Sequence, residues 1–421
     1  MNAKVIAVHG TYVADASDTG AQWWQKSGVF ERYLQRSMPD AVDELIVFHW
    51  SGANSAAARE KAGAELYLLM QTLERQRVPY HVVAHSHGGG VLLEALTEAV
   101  ERADAALEHL VSWTTVGTPF VSASPASHWS NRLRNPWRMI LALTLAMFNL
   151  TAIAALAASP FVGLPILAIA GLLVLLVCTT ALSGRISANG HLLARLDARK
   201  EAMTRFGGRW LPLWSTGDEA LTSLGVTVPP MTLQLLGPIR PSVNRHAPLR
   251  SLIRWPLASA VALGVNAFRP QLNRTVGATV RRALQGYDHP FGDVVNIAAG
   301  PLPPFDAYPS LPSRVDAELI ESANANAQQG IAALRNALYT AAMAGDGVPG
   351  FTSSLHAQLR GGELVHTRYF DHEEILRVIE LHMRGSWRAA GSELQSWFQK
   401  VRGTIDDAVR LQSSSWIYRA S

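Results

Sequence analysis

The chain has 421 residues, 48% of them hydrophobic and only 17% charged. Globular chains average about 25% charged. With a mean hydropathy of +0.09, this chain cannot be a disordered protein, which needs low hydrophobicity and high net charge. A single Cys excludes a disulfide scaffold and a multi-cysteine metal site. The net charge of +4 is mild, and no basic run with interleaved aromatics points to nucleic acid. The length allows two or three domains.

In chain order, the first segment is Lys4–His9, an apolar strand pattern entered within three residues of Met1. No basic n-region, apolar h-region and cleavage site precede it, so a secretory leader is not expected. His9-Gly10-Thr11 follows. A second strand is read at Leu45–Trp50, and the loop His49-Trp50-Ser51-Gly52-Ala53-Asn54-Ser55 follows it. A helix is expected over Ala53–Arg77, with Leu66, Leu69, Met70 and Leu73 on its apolar face. A third strand, Tyr80–His85, runs into Ala84-His85-Ser86-His87-Gly88-Gly89-Gly90 and a helix at Gly88–Val100. A fourth, His109–Val116, ends in Val116-Gly117-Thr118-Pro119-Phe120. Strands alternating with helices imply a parallel sheet with right-handed crossovers, an α/β fold.

Residues 139–184 hold no Asp, Glu, Lys, Arg or His. As one helix these 46 residues would span about 69 Å, roughly twice what an apolar bilayer core of about 30 Å requires. Ser159-Pro160, Gly163 and Pro165 break the run. The pattern predicts a hairpin of two membrane helices, near 139–158 and 162–183, with Cys178 filling space inside it. A pair of buried core helices is the competing reading. Arg132, Arg134 and Arg138 precede the run, and Arg185, Arg195, Arg199 and Lys200 follow it. Positive flanks at both ends favour the cytoplasmic side of an inner membrane. An even number of crossings also lets strands before and after the run share one sheet.

A further strand is expected at Arg209–Ser215, leading into Thr216-Gly217-Asp218-Glu219-Ala220. No acidic residue occurs between Ala220 and Tyr287, yet this stretch carries Arg240, Arg245, Arg250, Arg254, Arg269, Arg274, Arg281 and Arg282, with Trp255 and the apolar run Leu257–Phe268. Such a composition suits a segment lying in an anionic leaflet, each cation contributing about 1 kcal/mol. A cap domain whose arginines meet carboxylates elsewhere is the alternative. Residues 300–312 read as a Pro-rich loop and 315–345 as a helix. Glu363–Phe370 leads into a helix at Asp371–Met383. The expected divisions are 1–130 and 207–225 in a core, 131–206 as the hairpin with a flanking helix, 226–355 as a basic cap, and 356–421 as the end of the core.

The small-x-Ser-x-Gly turn between strand and helix resembles the nucleophile elbow of the α/β-hydrolase superfamily. Ala84 stands where the pattern has its first Gly. His9-Gly10-Thr11 resembles the oxyanion loop of lipases and esterases, and Gly117-Thr118-Pro119 resembles a signature of the lipase branch. The loop 49–55 is similar to that of bacterial serine esterases related to inositol-deacylase-type lipases. The resemblance covers residues 4–120, about a third of the chain. The resemblance starts at the strand before His9-Gly10, so the two strands that usually open the fold are not expected, as in minimal lipases.

The resemblance implies Ser86 as nucleophile. Backbone N–H groups of His87 and of Thr11 or Tyr12, beside Gly10, would hold the oxyanion. The family order of Ser, acid, then His implies Asp218 as the acid, with Glu219, Asp288 and Asp293 as rivals. It implies His366 as the base, with His372 as its rival. A helix cap is the plain alternative for both Ser86 and Asp218. His85 and His87 would line the mouth of the pocket rather than bind metal, because no acidic or Cys partner lies at ligand spacing. No cofactor is expected. The implied protein is a membrane-anchored serine hydrolase of lipid esters, with its catalytic part on the cytoplasmic side and possible oligomers. An esterase on soluble esters and a non-enzymatic hydrolase-fold membrane module remain open.

Overall fold

A computed structural model describes residues 2–11, 17–102, 107–125, 193–221, 294–300, 309–344 and 364–413, together with residues 140, 144 and 147. Strands β1 (Ala3–Val8), β2 (Val42–Phe48), β3 (Tyr80–His85), β4 (Leu110–Val116) and β6 (Trp210–Leu213) form one sheet in the order β2-β1-β3-β4-β6. Every neighbouring pair is parallel. A two-stranded antiparallel sheet joins β5 (Phe120–Pro125) to β7 (Val294–Gly300).

Strand composition follows position. In β1, Val5, Ile6, Ala7 and Val8 are all fully buried, as expected of a central strand covered on both faces. The edge strand β2 buries only Leu45 and Phe48. The chain leaves β1 for β2 in one direction and returns across β1 to β3 and β4. Right-handed crossovers therefore put the first helix on one face and the next two on the other. The packing agrees. Helix α1 (Val29–Ser37) meets α7 (Glu373–Arg384), whereas α2 (Ala56–Gln76) packs on α3 (His87–Glu101). Ser55 starts α2, its Oγ accepting from Ala58 N at 3.1 Å.

Beyond the long run that follows β5, helix α4 (193–206) leads into β6. Its Arg195 and Arg199 reach the buried Glu94 of α3, and Arg195 also bonds Glu101 at 2.7 Å. A cross-strand pair then sets the register of β6, with Trp113 stacked on Trp210 at 4.8 Å. Each indole N–H finds an acceptor, Phe206 O and Thr115 Oγ1 respectively, as buried indoles require. Helices α5 (Ser313–Ala344), α6 (Val365–Arg368) and α8 (Ser392–Ser413) complete the described elements.

Several expectations shift. The strand read at Arg209–Ser215 is four residues long, and the helix read from Ala53 begins at Ala56. Helix α1, β5 and β7 carried no expectation. Of the two expected membrane helices, only Ile140, Thr144 and Met147 are described. They are helical and exposed. Among the described residues no helix is long and apolar enough to cross a membrane. The eight-arginine stretch lies outside the described residues.

Candidate active site

The order β2-β1-β3 makes the carboxyl ends of β1 and β3 a topological switch point, where parallel sheets open a crevice. His9-Gly10 leaves one end and Ser86 the other. Ser86 sits between β3 and α3 with φ 54° and ψ −136°, a strained conformation for a residue with a Cβ, costing on the order of 1–3 kcal/mol. Its N–H is held by Val116 O at 2.9 Å, and its carbonyl accepts from Gly89 N at 3.0 Å. The bend is crowded. A Cβ on Gly10 would lie 2.7 Å from Ser86 Cβ, and one on Gly88 would lie 2.4 Å from His9 O. Only glycine allows β1 and the start of α3 to approach this closely.

His366, from α6, brings Nε2 within 2.8 Å of Ser86 Oγ. Its Nδ1 lies 3.0 Å from both carboxylate oxygens of Asp218. An ionised carboxylate only accepts, so Nδ1 carries the proton and Nε2 accepts from the Ser86 hydroxyl. Asp218 follows β6 and is fully buried. Burial pushes its pKa up, but the bonds from His366, Tyr369 and Leu221 N outweigh this and hold it below the usual carboxylate range. It also accepts from Ala220 N at 2.9 Å and Leu221 N at 3.2 Å. Capping and holding the imidazole are thus the same carboxylate's work.

The rivals do other things. The Glu219 carboxylate accepts from Val365 N at 3.1 Å and His366 N at 3.3 Å. His372 is the N-cap of α7, 3.4 Å from Glu318. Asp288 and Asp293 lie outside the described residues.

His85 and His87 are both buried, as Ser86 itself is. The ring of His85 is 4.9 Å from that of His366, and its Nε2–H donates to His366 O at 2.8 Å. Burial lowers the pKa of each to about 3, so both stay neutral. His87 Nδ1 has no hydrogen-bond partner. The His87 backbone N–H opens α3, where the first turn of a helix leaves N–H groups free to donate.

His9 is buried and its Nε2 accepts from Trp50 N at 3.4 Å. Its Nδ1–H therefore donates to Gly10 O at 2.8 Å. A trans peptide points its C=O and N–H oppositely, so this bond turns the Thr11 N–H away from His9. Tyr12 lies outside the described residues.

Sequence reasoning missed Tyr369. Its hydroxyl donates to Asp218 Oδ2 at 2.7 Å and accepts from Ser215 N at 2.9 Å. Its signal in the sequence was its place three residues after His366, one helical turn away, in a His-x-x-Tyr-Phe pattern that resembles the catalytic-His loop of lipases. Among the described residues no group of His, Cys, Asp and Glu could hold a metal ion. No known protein family, curated protein or solved structure matches the chain.

Proposed function

We propose that this protein is a serine hydrolase of the α/β-hydrolase kind, cleaving carboxylic esters, with lipid esters as its first substrate class. The observation that carries the reading is the Ser86 hydroxyl on a strained bend, 2.8 Å from an imidazole whose other nitrogen meets a buried carboxylate. The switch-point position of that hydroxyl supports it as well.

In this reading Ser86 Oγ attacks the ester carbonyl as His366 Nε2 takes its proton. The oxyanion meets the N–H groups of His87 and Thr11. The tetrahedral intermediate collapses, and the imidazolium returns the proton to the leaving alcohol. Water, deprotonated by His366, then attacks the acyl-enzyme and releases the carboxylic acid and Ser86. Asp218 holds the Nδ1–H tautomer and stabilises the imidazolium. The uncharged run 139–184 anchors the protein in the inner membrane, its site facing the cytoplasm, and brings the crevice to its lipid.

A fluorophosphonate probe tests the reading. Wild type is labelled covalently, and Ser86→Ala is not. A folded wild type that resists labelling sinks the proposal. Rates on one ester below and above its micelle threshold then read the substrate class. A rise at the threshold supports lipid, and a flat rate favours soluble esters.

A further inference from the structure

We propose that Tyr369 is a positioning residue that holds one oxygen of Asp218 and so tunes how strongly Asp218 pulls on a protonated His366. The inference rests on the hydrolase reading above and adds a residue to it. Tyr369 is fully buried, so its hydroxyl proton cannot go to solvent. Ser215 N already donates to that oxygen at 2.9 Å, which leaves the proton one direction, toward Asp218 Oδ2 at 2.7 Å. The geometry therefore fixes which partner donates. Asp218 Oδ2 also faces His366 Nδ1 at 3.0 Å. A carboxylate that shares its charge with a phenol attracts an imidazolium less.

Other groups face this trio and stay unchanged in the comparison below. Glu219, on the acid loop, bonds the backbone of Val365 and His366. Asp316, from α5, bonds Thr216 N and Oγ1. His85 reaches His366 O from the end of β3, and His87 stands at the start of α3.

Removing the hydroxyl concentrates charge on Asp218 and strengthens its hold on an imidazolium. In the full-length protein, kcat/KM for a soluble p-nitrophenyl ester is measured against pH. In Tyr369→Phe the acid limb moves up by about half a unit to one unit. A ring-fluorinated tyrosine at 369, whose more acidic hydroxyl donates more strongly, moves it down while keeping the shape of the core. It serves where the Phe variant does not fold. A purely structural role would lower the plateau or the melting temperature and leave the limb in place. Ser86-dependent turnover with an unmoved limb in the fluorinated protein overturns this proposal alone. Wild type without Ser86-dependent turnover overturns the hydrolase reading and this one with it.

Discussion

Gly117 is where the sheet and the candidate triad touch. It follows the last residue of β4 with φ +54°, a conformation that L side chains resist. A Cβ there would lie 2.7 Å from Tyr369 Cε2 and 2.9 Å from Asp218 Oδ2. Gly117→Ala must therefore strain its own backbone and displace the acid. We expect a loss of about 1–3 kcal/mol of stability and about a hundredfold drop in kcat/KM, the size that a 1 Å misplacement brings. Urea unfolding and ester turnover check the two halves, and turnover equal to wild type would show that the acid tolerates movement. The same site shows what single residues reveal in sequence. Ser86 was legible because strand, bend and helix are local. Asp218 and Glu219 are adjacent acids, and only their directions in space separate them. One reaches the imidazole and the other the backbone of Val365 and His366. Tyr369 was illegible because its task depends on a loop over 150 positions earlier. The bond that His85 makes was illegible for a similar reason. Its partner is a carbonyl 281 positions away, and a polar side chain with a distant partner reads as exposed.

Among the elements, β1 declared itself by the continuous apolar run Val5–Val8, because both faces of a central strand are covered, whereas β3 and β4 interleave His81, Ser112, Thr114 and Thr115 with their apolar residues. Helix α1 did not declare itself. Its nine residues start at Val29, after an N-cap, Gly28, that has no side chain to cap with, so the usual start signal is missing. The pairing of β5 with β7 joins segments more than 160 positions apart, and no local pattern specifies such a partner. Helix α2 was legible along its length, and its C-terminal end makes a test. Arg77 occupies the left-handed region with φ 56° and ψ 36°, its N–H bonding Glu74 O and Leu73 O. That is the position where helices favour glycine. Arg77 is exposed, so little packing is lost on truncation. Arg77→Gly should stabilise the protein by about 0.5–1 kcal/mol, relief of the strain outweighing the entropy that glycine adds to the unfolded chain. A higher urea midpoint with an unchanged slope is the expected result. A lower midpoint would mean that the arginine side chain holds the end of α2 by some other bond.

At the scale of the whole molecule, the core encloses imidazoles whose burial disfavours protonation. His81 pairs with Ser112 across β3 and β4 at 2.7 Å, and His382 of α7 meets Arg209 O at 3.1 Å. With His85 and His87 they form four buried rings, spread from the sheet interior to the candidate site. Burial lowers the pKa of His81 to about 4 and that of the other three to about 3. In the unfolded chain each returns to about 6.5. Between pH 6.5 and the folded values, the unfolded state binds more protons than the folded one. Stability therefore rises with pH across this window and is lost as the solution is acidified through it. Each ring contributes up to about 2 kcal/mol of loss between pH 7 and 5. Together they rival a whole domain's stability of about 5–15 kcal/mol. Urea midpoints should fall steadily from pH 6.5 to 5, above the range where carboxylates take up protons. The slope of unfolding free energy against pH should correspond to uptake of more than one proton. Replacing His382 with a neutral side chain that keeps its bond, His382→Gln, should remove close to one proton from that slope. A stability that stays flat from pH 7 to 5 would mean that these rings reach water and protonate within the folded chain.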